Sequence, residues 1–193
     1  MKFEVTRNAG LLIDTSLLVL LAVGSVNRRR IENFKRTRKY TISDYELLLG
    51  LLNLWKPLYT VAHILAEVSN LTDLPGAERP KVKQFLRQTI SLLTEAEISS
   101  VRAAEDPLYP ILGLVDAAIA AVARTQRCTV LTDDLDLYLM LQRGKVAVVN
   151  FTHLRANAWS LIGFLHLLAE PFVNSTDLKN ERQASGRLTR KRG

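Results

Sequence analysis

Short apolar runs alternate with stretches of helical periodicity along this chain. Leu11-Leu12-Ile13 is a continuous apolar run ending on Asp14, and residues 11–14 read as a short buried strand. Thr15 or Ser16 is suited to cap an apolar helix running to about residue 23, which Gly24 and Asn27 are expected to break. Ser43-Asp44-Tyr45-Glu46 has the form of a capping box, which predicts a helix over 44–54. Pro57 blocks continuation, and Leu58-Tyr59-Thr60 reads as a second strand. Residues 61–71 carry an apolar stripe of Ile64, Leu65, Val68 and Leu71, with His63, Glu67 and Asn70 on another face.

Asp73-Leu74-Pro75-Gly76 is a turn, Pro80 suits the first turn of a helix reaching about residue 93, and residues 94–104 read as another short helix. Asp106-Pro107 and Tyr109-Pro110 make a stiff connector before an Ala-rich helix over 114–125, with Asp116 in its first turn. Residues 128–131 read as a buried strand, followed by Thr132-Asp133-Asp134-Leu135-Asp136 and a helix over 136–143 that Gly144 closes. A further strand at 146–149 and a helix over 154–169 complete the periodic part. Strands separated by helices imply an α/β fold with a mainly parallel sheet, whose sites lie beyond the carboxyl ends of the strands.

Charge adds two basic segments. The chain has 193 residues and a net charge of +7. Residues 28–39 hold seven basic residues against Glu32, and residues 179–193 hold six against Glu181, so the remaining body is net −4. An acidic body with basic appendages suits an anionic polymer as partner. In the first appendage Phe34 and Tyr40 interleave with the charges, either to stack on bases or to pin the segment to the body. From residue 171 the chain reads as a disordered basic tail. The lone Cys128 excludes an intrachain disulfide and fits a reducing compartment. The apolar run from Gly10 to Gly24 loosely imitates a secretory signal, but Asp14 interrupts it and it is too short to span a membrane. The expected location is cytoplasmic.

Four acidic residues define the candidate chemistry. Asp14 and Asp134 lie just past the ends of predicted strands, and Glu67 and Asp116 lie on helices that follow. Clustered carboxylates raise one another's pKa unless a cation is present, and an oxygen-only donor set favours Mg²⁺ or Mn²⁺ over zinc. Such an ion activates water for attack on a phosphodiester. Ser16 and Thr132 are placed to orient a ligand or a bound water. Arg28, Arg29, Arg30, Lys35, Arg36, Arg38 and Lys39 are the expected nucleic-acid contacts.

The segments Leu12-Ile13-Asp14-Thr15-Ser16-Leu17, Ile64-Leu65-Ala66-Glu67-Val68, Leu114-Val115-Asp116-Ala117-Ala118 and Leu131-Thr132-Asp133-Asp134-Leu135-Asp136 resemble, in order, the four acidic motifs of PIN-domain ribonucleases. The resemblance covers roughly residues 11–151. It implies a Rossmann-like α/β/α sandwich, a PIN-like nuclease domain over 1–170 with a basic insert at about 24–41, and metal-dependent RNA cleavage. It assigns Asp14, Glu67, Asp116 and Asp134 as catalytic metal ligands, with Asp136 as an accessory acid and Asp133 at a variable position. Many small members are VapC-like toxins, which implies an antitoxin protein and a homodimer as partners. The basic insert and the tail depart from a minimal toxin. The alternatives are a catalytically weak RNA-binding or scaffold protein, and a structure-specific DNA nuclease.

Overall fold

A computed structural model describes residues 9–156. Five strands form one all-parallel sheet: β1 Leu11–Ile13, β2 Leu58–Thr60, β3 Thr94–Glu95, β4 Thr129–Thr132 and β5 Val148–Asn150, in the order β3-β2-β1-β4-β5. The connections are α1 Thr15–Val26, a 3₁₀ helix Arg28–Asn33, α2 Ile42–Asn53, α3 Ala62–Leu71, α4 Glu78–Ile90, α5 Ser100–Ala104, α6 Tyr109–Leu112, α7 Leu114–Gln126 and α8 Leu135–Arg143, with α9 Phe151–Ala156 after β5. The fold is the expected Rossmann-like α/β/α sandwich.

The strand order reverses at β1. Chain that runs outward to β2 and β3 must return across β1 to reach β4. Right-handed crossovers then place the helices before and after the reversal on opposite faces. The packing follows suit: α1 lies against α2, α3 and α4, whereas α7 lies against α5 and α6. The gap between β1 and β4 is the switch point, where crossovers leave in opposite directions and a crevice opens.

The core explains why β1 and α1 read as almost wholly apolar. Leu11, Leu12 and Ile13 are buried, as are Leu17, Leu18, Val19 and Leu20 in α1. Two glycines permit close approaches. Gly10 has φ +80°, and a Cβ there would lie 2.6 Å from the Tyr59 ring. A Cβ on Gly24 would lie 2.4 Å from the Tyr45 ring. Gly24 therefore does not break α1 as expected. It lets α2 seat Tyr45 against α1, and burial outweighs its weak helix propensity.

Other boundaries move for tertiary reasons. The capping box is Thr41 with Asp44 rather than Ser43 with Glu46: Thr41 Oγ1 accepts from Asp44 N–H, and Asp44 Oδ2 accepts from Thr41 N–H. Residues 94–104 are not one helix. Thr94-Glu95 pairs with Tyr59-Thr60 as an edge strand, and Ser99 caps α5. The exposed Thr94 and Glu95 carry no apolar alternation, so only their pairing partners identify them as a strand. The stiff connector includes the short helix α6, which Leu108 precedes. The helix expected at 136 begins at Leu135, capped by Asp134, and the helix expected at 154 begins at Phe151, which is fully buried. The rest of the helix expected over 154–169, and the tail, lie outside the described residues.

The basic segment is not a projecting arm. Between α1 and α2 it occupies residues 27–41, and it folds onto the body. Ile31, Thr37 and Tyr40 are buried, and Asn27 and Arg30 both donate to Glu78 of α4.

Candidate functional site

The β1–β4 register builds the centre of the site. Ile13 pairs with Leu131, and Asp14 N–H donates to Leu131 O, so Asp14 stands beside Thr132. Asp14 is the N-cap residue of α1, yet its side chain caps nothing. Its Oδ2 instead accepts from Thr132 Oγ1 at 2.7 Å and from Ser16 Oγ at 3.3 Å. Thr132 Oγ1 in turn accepts from Asp134 N–H at 2.9 Å, so one hydroxyl links both acids. Asp14 is buried at 6% exposure. Burial raises its carboxyl pKa above the ordinary value, and the Asp134 charge adds to that against the hydrogen bonds from Thr132, Thr15 and Ser16.

The other acids arrive from helices on either side. Glu67 on α3 accepts from Thr15 Oγ1 at 2.7 Å, which ties α3 to the start of α1. Asp116, half-buried in the first turn of α7, is pushed up to about 7 by burial and by the charges of Asp14, Asp134 and Glu67. Helix α3 also packs against α7. Asp134 spends Oδ1 on the N–H groups of Asp136 and Leu137 as the N-cap of α8. Its Oδ2 accepts no hydrogen bond among the described residues. Asp136 is exposed in the first turn of α8, where acid suits the helix dipole.

All of these acids, Ser16 included with them, line one cleft of about 450 Å³ at the switch point. Thr132 lies beneath it, fully buried. The structure thus brings together Asp14, Glu67, Asp116, Asp134 and Asp136 from four segments. Among the described residues no three His, Cys, Asp or Glu stand close enough to ligate a single ion directly. The donor chemistry fits Mg²⁺ or Mn²⁺ all the same. Mg²⁺ keeps several waters and takes one or two carboxylates directly. Burial lifts Asp116 most, and the further rise caused by its acidic neighbours is what a bound cation would relieve.

The seven basic residues divide. Arg28 pairs with Glu46 at 3.0 Å and lies over the Tyr45 ring, and Arg30 pairs with Glu78. Both hold the segment down. Arg29, Lys35 and Arg38 are exposed and line no part of the cleft. Arg36 and Lys39 do line it.

Sequence reasoning passed over Asp133 as a variable position. Its carboxylate accepts from Lys39 at 2.7 Å, from Tyr40 Oη at 2.8 Å and from Thr152 Oγ1. Burial would raise its pKa, but the donors Lys39, Thr152 and Tyr40 outweigh burial and hold it below the ordinary value. Asp133 joins the basic segment and α9 to the end of β4. Asp133 lines the cleft beside Asp134, and the adjacent pair of acids just past the end of a predicted strand was the available signal. Tyr40 is accordingly an anchor rather than a base-stacking group.

No protein-family model matches the chain, and no curated protein matches it significantly. Among the described residues no helix is long and apolar enough to cross a membrane.

Proposed function

We propose that this chain is a divalent-metal-dependent endoribonuclease of the PIN-like kind, hydrolysing RNA phosphodiester bonds with Mg²⁺ or Mn²⁺. One observation carries the reading: Asp14, Glu67, Asp116 and Asp134, far apart in sequence, line a single cleft at the switch point of the sheet. A bound divalent ion supplies a Lewis acid and a water activated for attack on phosphorus. The chain's own groups do the positioning. Thr132 and Ser16 fix Asp14, Thr15 fixes Glu67, and the α8 cap uses Oδ1 of Asp134 and leaves its Oδ2 without a hydrogen bond among the described residues. Asp116 adds a carboxylate that burial and, second to it, its acidic neighbours hold toward the protonated form, and a cation in the cleft favours its ionised form.

The test is a cleavage assay on RNA with and without Mg²⁺ or Mn²⁺, comparing the wild type with Asp14→Asn. Metal-dependent cleavage lost in the variant supports the reading. No cleavage under any metal condition removes it. Preferential cutting of branched DNA assigns the cleft to a DNA nuclease instead.

A second reading is a PIN-like binding or scaffold protein without catalysis. The spacing of the carboxylates, with no three in direct ligating range among the described residues, favours it. RNA binding without cleavage would establish it.

Within the enzyme reading we assign the chain to the toxins of type II toxin–antitoxin pairs, acting as a homodimer in the cytoplasm and held by an antitoxin. Motif order supports the family, many of whose small members are such toxins, and the lone Cys128 supports the compartment. A small partner encoded in the neighbouring reading frame that co-purifies with the chain and suppresses cleavage is the corresponding check.

A further inference from the structure

We propose that the turn closing the basic segment is a phosphate clamp, in which Arg36 and a Lys39 positioned by Asp133 grip the nucleic-acid backbone beside the bond that is cut. The proposal rests on the nuclease reading and specifies how that cleft takes its substrate.

A cleft lined by six acidic residues, Asp14, Glu67, Asp116, Asp133, Asp134 and Asp136, repels a polyanion. Entry requires compensating charge at the rim as well as in the metal site. Among the described residues lining the cleft, the only cations are Arg36 and Lys39. Arg36 is exposed and has no ion pair or hydrogen bond among the described residues, so its guanidinium is available to a phosphate. Lys39 is half-exposed while its partner Asp133 is 3% exposed, so the ammonium is held at one position on the rim.

The turn between them is rigid. Thr37 is fully buried and donates from Oγ1 to Ile31 O at 2.7 Å. The N–H groups of Thr37 and Arg38 both donate to Phe34 O, and Tyr40 N–H donates to Thr37 O. Tyr40 Oη anchors the end on Asp133. A cation carried on such a turn is preorganised, so little ordering cost accompanies binding. Asp133 and Asp134 are adjacent, which fixes the clamp relative to the acids. No aromatic residue lines the cleft among the described residues, so this contact reads backbone rather than base.

The rival account leaves Arg36 as a solvated surface charge. The two separate in a binding titration of full-length Asp14→Asn protein with a labelled single-stranded RNA in Mg²⁺, repeated across salt concentrations. Arg36→Ala on that background should weaken binding several-fold and lower the slope of log K against log salt by about 0.7, one single-strand phosphate contact. Lys39→Ala should do the same. Arg36→Lys should restore most of the slope. Arg102→Ala, which removes an exposed pair with Glu105 on α5, should leave both quantities unchanged. Arg36 has no partner to lose, so its variant should keep the wild-type unfolding midpoint. In the active protein Arg36→Ala should raise KM and spare kcat. Unchanged affinity and slope in Arg36→Ala overturn the clamp while wild-type cleavage keeps the nuclease reading. Absence of both binding and cleavage in the wild type overturns the nuclease reading, and the clamp with it.

Discussion

Thr132 donates its hydroxyl to Asp14 across the β1–β4 junction at 2.7 Å, joining two residues 118 positions apart. The same oxygen accepts from Asp134 N–H, so a single buried hydroxyl holds the two acids that end neighbouring strands. Thr132→Val keeps the shape and removes both bonds. It should cost about 1–3 kcal/mol in a denaturant titration, because a buried carboxylate loses a donor. Cleavage should fall further than stability predicts, since Asp14 loses its orientation. Thr132→Ser should recover most of both.

Asp14 itself sets stability against activity. Burial raises its pKa, so the metal-free fold gains by losing the charge. Asp14→Asn should unfold at a higher temperature than the wild type without metal, while cleavage drops by on the order of a hundredfold or more. A less stable Asn variant would mean that the carboxylate is stabilising as it stands.

Asp116 predicts a pH dependence. Its folded pKa of about 7 exceeds the ordinary 3.8, so the folded state binds the proton more tightly than the unfolded chain. That contribution is fully present below the unfolded value and is lost as pH rises through about 7. The unfolding midpoint of the metal-free protein should therefore decline from pH 5 toward 8 by an amount that Asp116→Asn abolishes. Mg²⁺ should raise the midpoint more at pH 8 than at pH 5.5, because ligands must be deprotonated.

Gly24 provides a test of packing alone. Gly24→Ala would place a methyl group against the Tyr45 ring, and the expected loss is about 1–3 kcal/mol despite alanine's better helix propensity. Pairing it with Tyr45→Leu should recover part of that loss. A neutral Gly24→Ala would show that α2 can move away from α1.

Tyr40 separates anchoring from recognition. Tyr40→Phe keeps the ring against Phe151 but removes the donor to Asp133. It should cost roughly 1 kcal/mol in unfolding and leave the salt slope of RNA binding nearly unchanged. Tyr40→Leu, which removes the ring, should cost more stability with no loss of RNA affinity beyond it; a larger loss of affinity would restore the base-stacking role.

Much of this protein is legible from local pattern. The run Leu11-Leu12-Ile13 declares a buried strand because both of its faces are covered, and the stripe of Ile64 and Val68 declares a helix because period 3.6 puts one face on the core. The order of Asp14, Glu67, Asp116 and Asp134 is visible too, since each follows an element whose type the sequence signals. Pairing was beyond local pattern. Thr94-Glu95 is polar and exposed, and it becomes a strand only because Tyr59-Thr60 is there to receive it. Gly24 looks like a helix breaker until Tyr45 fills the space its missing Cβ leaves. The seven cations of residues 28–39 look alike as a string, and only their neighbours divide them: Glu46 and Glu78 take Arg28 and Arg30, Asp133 holds Lys39, and Arg36 keeps an open guanidinium at the cleft. Periodicity and capping are short-range properties carried by the chain itself. Which charge meets which partner depends on contacts between residues tens of positions apart, and those exist only once the sheet has brought β1 beside β4.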